Sequence, residues 1–257
     1  MQPPPEILAA LDLTDAAISD SGGATGRLWK ITTAEGVYGL RLALSEASAA
    51  AQGAAMTAAA AAGLPVPEVL REVHTPAGTG MVISWLPGTM VSETLFRDTR
   101  RARQIGRVCG EVHRALHAIT APESLTGGTR WAEPPFDPLP PGNRLLHLDF
   151  HPNNILIEGG RVGGILDWEN AIGGDPLLDL ARTRCIMTLD PFIASLSPTA
   201  RQAADDFTAG WAEGYGGFVI PVEYQLWAAR VMLRDISHRH SPGVLQPLRD
   251  RIESLAT

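Results

Sequence analysis

Cysteine is almost absent from this 257-residue sequence, with Cys109 and Cys185 making up the whole complement. They stand far apart with no metal-ligand spacing, which excludes a disulfide framework and predicts two reduced thiols inside helices of a cytoplasmic protein. Lysine is scarcer still, Lys30 standing alone against 20 arginines, so a site that needs a cation must draw mainly on arginine. An excess of positive charge is missing as well. The formal net charge is −7, which argues against a nucleic-acid partner held by counterion release. Split at Gly88, the net charge is −4 before it and −3 from there on, so the second part is not strongly acidic either. No long apolar run occurs. The uncharged stretch between Glu46 and Glu68 is mostly alanine, with Gln52, Gly53, Thr57 and two prolines, and is too weakly apolar to span a membrane. The opening MQPPPEILAALDL lacks the basic region and apolar core of a secretory signal. Internal repeats, low-complexity tails and heptads are also missing. With 45% hydrophobic residues and a mean hydropathy of +0.02, the expectation is a soluble globular chain, one large domain or two lobes, able to bury a sizeable core.

What is present concentrates between Leu145 and Ala181, LLHLDFHPNNILIEGGRVGGILDWENAIGGDPLLDLA. Asp149 is followed five residues on by Asn154 and thirteen further by Asp167. An acid able to take a hydroxyl proton, then an amide oxygen and a second acid for a hard cation, are the parts of a phosphoryl-transfer site. Locally, Leu145, Leu146 and Leu148 form an apolar approach and Asn153-Asn154 a polar turn. Ile155–Ile157 read as a strand, Gly159-Gly160 as a hairpin turn, and Val162–Leu166 as the returning strand. The hairpin would bring Asp149 and Asp167 to its mouth with Asn154 between them. A rival reading takes His147, Asp149 and His151, which on a strand would face one way as ligands of a transition metal and make the chain a metal hydrolase. The Asn154 and Asp167 spacing favours the phosphoryl-transfer reading, which leaves His151 as a loop residue near the phosphates.

The succession H-x-D-x-x-x-x-N, I-x-D-W-E and G-D-P-x-x-D-L-A resembles the aminoglycoside phosphotransferase and choline kinase-like family, relatives of protein kinases. Leu148 stands where protein kinases usually carry Arg, and Asp167-Trp168-Glu169 where they carry D-F-G, which points to the small-molecule branch. The resemblance extends over nearly the whole chain. It implies that Asp149 is the catalytic base or hydroxyl-orienting acid, that Asn154 and Asp167 hold Mg2+ on the phosphates of ATP or GTP, that His147 props the loop, and that Asp179 anchors it. It also implies an α+β, bilobal, protein-kinase-like fold with a small antiparallel-sheet N-lobe and a mostly helical C-lobe. The lobes would be residues 1–87 and 88–257, with a hinge near 83–88 where Ser84, Trp85 and Leu86 meet the adenine edge.

Upstream, Ser21–Gly26 is a glycine-rich turn whose N–H groups, at Gly22 and Gly23, can approach phosphate closely because glycine lacks Cβ. Leu28–Ile31 and Val37–Leu42 read as strands joined through Gly36. Arg41 then sits where a kinase-like lobe puts the cation on the α- and β-phosphates, and its forked donors suit phosphate. Ala47–Ala62 has the composition of a helix stopped by Gly63 and Pro65. By resemblance Gln52 occupies the place of the Glu that pairs with this cation; Gln52 can accept a hydrogen bond from Arg41, and Glu46 or Glu35 could replace it. Val69–His74 and Met81–Trp85 read as further strands.

Residues 6–20 are expected as a short helix or helix-plus-turn. Residues 91–121 are expected as a helix burying Ile105, Val108, Val112, Ala115 and Leu116, with His113 and His117 in core or capping roles. Residues 122–144 read as a long irregular connection, in which Trp131, Glu133, Phe136 and Asp137 could line a substrate entrance. After the Asp175-Pro176 cap the chain is helical, and Phe207, Trp211 and Tyr215 form one core stripe. The expected activity is transfer of the γ-phosphoryl group to a hydroxyl of a small-molecule acceptor: an aminoglycoside, a macrolide, an amino alcohol or a sugar. Such a chain would serve either resistance or metabolism. The alternative, prompted by Gln52 and the missing lysine, is a catalytically degenerate nucleotide-binding or regulatory module.

Overall fold

Short apolar runs separated by glycine turns dominate residues 17–84, and they fold as one antiparallel sheet. The computed structural model describes residues 2–20, 27–43, 45–125 and 128–257; the Gly22 and Gly23 expectation lies outside them. Helix α1 (Pro5–Ala10) leads into β1 (Ala17–Asp20), β2 (Leu28–Thr32) and β3 (Val37–Ala43). Helix α2 (Glu46–Ala61) follows, then β4 (Val69–Thr75) and β5 (Gly78–Ser84). The sheet order is β1-β2-β3-β5-β4. The expected leading helix is thus shorter than its span, because residues 17–20 pair as a strand with residues 29–32.

Strand alternation gives this sheet two unlike faces. Trp29, Ile31, Leu40 and Val82 lie under Ile7 and Leu11 in a small separate core. Their neighbours Arg41 and Met81, paired across β3 and β5, take the opposite face. There Met81 joins Ala55, Met56 and Ala59 of α2 in the main core. Side-chain capping by Ser45, which accepts from Ser48 N, starts α2.

The chain continues through β6 (Thr89–Met90), α3 (Val91–Arg97) and α4 (Ala102–Leu116). The helix expected over residues 91–121 is broken at Asp98, whose backbone leaves the helical region (φ −144°, ψ 88°) while its carboxylate accepts from Arg100 N. This local bond competes with helix continuation. Ala115, expected in the buried stripe, is exposed, whereas Ile105, Cys109, His113 and Leu116 are buried. After 3₁₀ turns at 123–125 and 129–131 come β7 (Arg144–Leu146), β8 (Ile155–Glu158), β9 (Arg161–Ile165) and β10 (Ile172–Gly174). Strands β8 and β9 form the expected hairpin, joined to β6, and β7 pairs with β10. Five helices finish the chain: α5 (Pro176–Leu189), α6 (Pro191–Ala194), α7 (Pro198–Tyr215), α8 (Val222–Ile236) and α9 (Gln246–Ala256). The fold is therefore α+β, antiparallel sheet first and helices after. None of the described helices is long and apolar enough to cross a membrane.

Helices α4 and α7 meet backbone to backbone. A methyl group added at Gly106 or Gly110 would overlap the carbonyl oxygen of Phe207 or Trp211, and one at Gly210 or Gly214 that of Arg103 or Arg107. Two GxxxG pairs thus allow an approach that any Cβ would block. Gly110→Ala is expected to destabilise the protein by about 1–3 kcal/mol through overpacking, although alanine is the better helix former. Gly53 of α2 meets only Val69 Cγ2 at 3.9 Å, so Gly53→Ala should raise stability by up to about 1 kcal/mol. Urea unfolding of the two variants checks the opposite signs.

Candidate active site

The β8–β9 hairpin opens toward one end, and the chain enters and leaves it with chemistry-bearing residues. Leu148 and Asp167 both take left-handed backbone conformations (φ 59° and 62°). That conformation is tolerable for aspartate and costly for leucine. Bonds from three sides hold these turns. Asp179 of α5 accepts from Leu148 N (3.0 Å) and His147 N (2.6 Å). Buried His147 takes the Asp149 N–H on Nδ1 (3.2 Å), so its Nε2–H donates to Leu166 O (2.9 Å) and ties the Asp149 turn to the Asp167 turn. Burial lowers the imidazole's affinity for a proton, consistent with this neutral tautomer. Asn154 O accepts from Leu166 N (2.8 Å).

Asn154 is buried, and its Nδ2 donates to the Asp149 carbonyl and to Asp149 Oδ2, both at 2.9 Å. The amide nitrogen is thereby committed to the acid, which leaves Oδ1 as a hard oxygen donor. His151 Nε2 lies 3.5 Å from Asp149 Oδ1. Burial works to raise the Asp149 carboxyl, but the hydrogen bond and charge of His151, with the charge of Arg182, outweigh it and hold the group at about 2. Burial likewise works to lower His151, and Asp149 more than offsets it, so the imidazole is raised. The metal triplet His147, Asp149, His151 does not assemble: both ring nitrogens of His147 are used by backbone groups. Among the described residues, the group able to converge on a cation is His113, His117 and Asp179 in the core.

Arg41, buried on β3, reaches across to the hairpin. Its Nη2 contacts Asp167 Oδ1 at 2.8 Å and Glu169 Oε2 at 2.7 Å. The sequence reading looked to Gln52, Glu46 or Glu35 for this partner. Gln52 instead donates to Ser48 Oγ (3.1 Å), Glu46 lies 3.5 Å from His74, and Glu35 belongs to the turn at Thr33. Glu169 was missed, although D-x-E was visible; a 3₁₀ turn at 168–170 brings the second acid round beside the first. Arg41 Nε is buried and has no hydrogen-bond acceptor among the described residues. A phosphate oxygen would supply one, and Asn154 Oδ1 with the Asp167 carboxylate are the hard oxygens that magnesium prefers, so the residues present fit a magnesium nucleotide.

Ser84, Trp85 and Leu86 stand at the end of β5, three residues and more beyond the Met81 that pairs with Arg41. Ser84 exchanges two bonds with Glu68, N–H to O and Oγ from N–H, both at 2.9 Å. Trp85 is exposed under Lys30 Nζ, 5.3 Å from its ring centroid. On the other side of Asp149 opens a cavity of about 950 Å³ between α3, α5, α6, α7 and α8. Of the four long-loop residues expected at an entrance, Trp131 borders this cavity. Glu133 is drawn off by Arg234 (3.1 Å), Phe136 packs edge-on against Tyr224 at 4.7 Å, and Asp137 is not part of its wall.

Beneath the loop, Asp179 also lies 3.2 Å from His117 Nε2 and 3.3 Å from His113 Nε2. Trp211 Nε1 donates to His113 Nδ1, and the Tyr215 hydroxyl meets His117 Nδ1. Burial would raise the Asp179 carboxyl, but these imidazoles hold it well below the carboxylate range.

Comparison with known proteins gives concordant results. The model of a family described as "Phosphotransferase enzyme family" matches residues 17–139 and 130–217. A curated relative, hygromycin-B 4-O-kinase of Escherichia coli, is 32% identical over 71 residues, 28% of this chain and 19% of that protein. The match therefore spans about a fifth of that relative's length. Among solved structures, a thermostable mutant of aminoglycoside phosphotransferase APH(4)-Ia is similar in its apo form (TM-score 0.67, 19% identity, 97% of this chain and 96% of that one). A variant of it in ternary complex with AMP-PNP and hygromycin B is similar too (TM-score 0.64, 16% identity, 97% and 96%). So is the macrolide 2'-phosphotransferase MphH from Brachybacterium faecium (TM-score 0.54, 17% identity, 96% of each chain). At these identities the structures establish a shared fold.

Proposed function

The chain belongs to the phosphotransferase enzyme family, and from that premise we propose that it transfers the γ-phosphoryl group of ATP or GTP to a hydroxyl of a small molecule. The observation that carries the reading is the single constellation formed by Asp149, Asn154, Asp167 and Arg41 at the mouth of one hairpin. Support also comes from the similar structure that holds AMP-PNP with hygromycin B. Residues 1–87 and 88–257 would act as two lobes about a hinge at 83–88, with Ser84, Trp85 and Leu86 along the adenine edge.

Asn154 Oδ1 and Asp167 would hold the magnesium ion, which when bound supplies neutralisation of phosphate charge. Arg41 would exchange part of its grip on Asp167 and Glu169 for phosphate oxygens. Asp149, kept ionised by His151 and fixed by Asn154, orients the acceptor hydroxyl and takes its proton as the new P–O bond forms and the bond from the γ-phosphorus to the departing nucleoside diphosphate breaks. Little covalent chemistry is asked of the protein; positioning and charge neutralisation provide the rate. Hygromycin-like aminoglycosides, macrolides, amino alcohols and sugars are the acceptor classes this reading spans.

The test is thermal unfolding with ATP or GTP, each with and without magnesium, on the wild type and on Asp167→Ala. A nucleotide at about a hundred times its dissociation constant stabilises the native state by roughly 2.7 kcal/mol. A magnesium-dependent shift lost in Asp167→Ala is the expected outcome; no shift with either nucleotide would overturn the reading.

A further inference from the structure

Two carboxylates meet one nitrogen beside the hairpin, and they are not equivalent. Asp167 Oδ1 and Glu169 Oε2 stand 2.8 and 2.7 Å from Arg41 Nη2. The Asp167 side chain is 36% exposed, that of Glu169 16%. Asp167 is also the acid that the kinase reading gives to magnesium, and a carboxylate drawn to a divalent ion holds a guanidinium less strongly. Glu169 has no second duty of that kind, and the turn that carries it is fixed from two sides. Trp168 Nε1 donates to Ile165 O at 2.9 Å. Arg130, whose guanidinium lies 4.8 Å from the centre of the Trp131 ring, donates from Nη2 to Glu169 O at 3.0 Å.

Helix α2 offers no competing partner. Its single acid is Glu46, at its first position, and the carboxylate lies 3.5 Å from His74 Nδ1. Gln52 is buried, uncharged and turned to Ser48 Oγ of its own helix. Arg41 is buried as well. A buried guanidinium without a partner is costly, and a long side chain without a fixed anchor loses its aim.

Resting on the kinase reading above, we propose that Glu169 is the positioning residue for the phosphate-binding cation: it holds Arg41 while Asp167 serves the metal, in place of a glutamate on α2. In this role Glu169 acts through Arg41 and not on phosphate or metal. The cation is then anchored to the turn that follows the β8–β9 hairpin, so the phosphate grip, the metal acid and Asp149 share one support. Helix α2 contributes packing to the sheet and no charge to the site.

A double-mutant cycle on nucleotide affinity separates this role from its competitors. The probe is AMP-PNP with magnesium, or its guanosine counterpart where GTP is the nucleotide that stabilises the wild type. Calorimetric titration should show Glu169→Gln binding it about tenfold or more weakly, the scale for a hydrogen bond to a charged group. In an Arg41→Met background the same Glu169→Gln change should alter affinity by less than about twofold, because the group it positions is gone. Gln52→Leu should stay within about twofold of wild type. Thermal shifts at millimolar nucleotide extend the reading to the weakest variants, and unfolding without ligand confirms that each is folded. An effect of Glu169→Gln under about twofold overturns the proposal. So does an equal loss in both backgrounds, which would assign Glu169 to the metal itself, or a loss in Gln52→Leu as large as in Glu169→Gln, which would return the task to α2. If no nucleotide stabilises the wild type, the kinase reading fails and this assignment with it; if nucleotide binds and the cycle is additive, the assignment alone fails.

Discussion

Asp149→Asn is expected to lower turnover by about a thousandfold while nucleotide binding persists, the middle of the range seen for a positioned acid or base. The substitution is nearly isosteric, and its amide oxygen can still accept from Asn154 Nδ2, which now reaches Asp149 Oδ2 at 2.9 Å. What disappears is the negative charge that the surroundings protect. His151 and Arg182 together hold the carboxyl at about 2 against the opposing effect of burial. A group so stabilised as an anion is a weak base in the ground state; in the proposed mechanism it would act by orienting the hydroxyl and by accepting a proton once the P–O bond has begun to form. A thousandfold loss corresponds to about 4 kcal/mol of transition-state stabilisation. Steady-state kinetics read beside the magnesium-nucleotide thermal shift separate the two roles. Turnover equal to wild type would remove Asp149 from the mechanism, and a lost shift with lost turnover would make it part of the nucleotide grip instead.

The parts of this site that sequence reading reached are those set by short-range spacing. Asp149, Asn154 and Asp167 flank one hairpin whose turn is Gly159-Gly160, and each strand is too short to leave much freedom in where its ends fall. The Ala-rich helix, its Gly63 stop and the Asp175-Pro176 cap are equally local. Arg41 falls on the strand expected for it, while its partner stays open in the sequence between Gln52, Glu46 and Glu35, because its ion pairs bridge 126 and 128 positions of sequence. A kinase-like pattern directs attention to α2, where Gln52 is turned to Ser48 instead. The Gly106, Gly110, Gly210 and Gly214 approach was also missed. A glycine inside a helical pattern reads locally as a loss of propensity, and its compensation lies on another helix. Arg182 sits on α5 among buried neighbours such as Leu178, Ala181 and Cys185, so no local pattern marks it, and its partner Asp235 lies 53 positions away. Residues 17–20 read only as the end of a helix or helix-plus-turn because four residues carry too little periodicity to declare a strand before their partner is known.

Asp179→Ala is expected to cost about 3–5 kcal/mol of stability, the scale for removing one member of a buried charged network. Two backbone N–H groups, His147 and Leu148, would lose their acceptor, and His113 and His117 would face an empty, buried space. Leu148 adds to the loss, since its left-handed backbone persists only while the surroundings impose it. Asp179→Asn should fall between the two proteins: its amide oxygen keeps one set of donors, and its NH2 confronts the other. Activity should respond more steeply than stability. Asp149 is the residue after Leu148, and relaxation of that φ re-aims the carboxylate even in molecules that remain folded. Urea unfolding together with kcat measured well below the unfolding midpoint tests both parts. A stability loss under about 1 kcal/mol would show that the network does not anchor the fold. A large loss with unchanged kcat in the folded fraction would show that His147 on Leu166 O and Asn154 on Asp149 suffice to aim the acid, leaving Asp179 as support for the core alone.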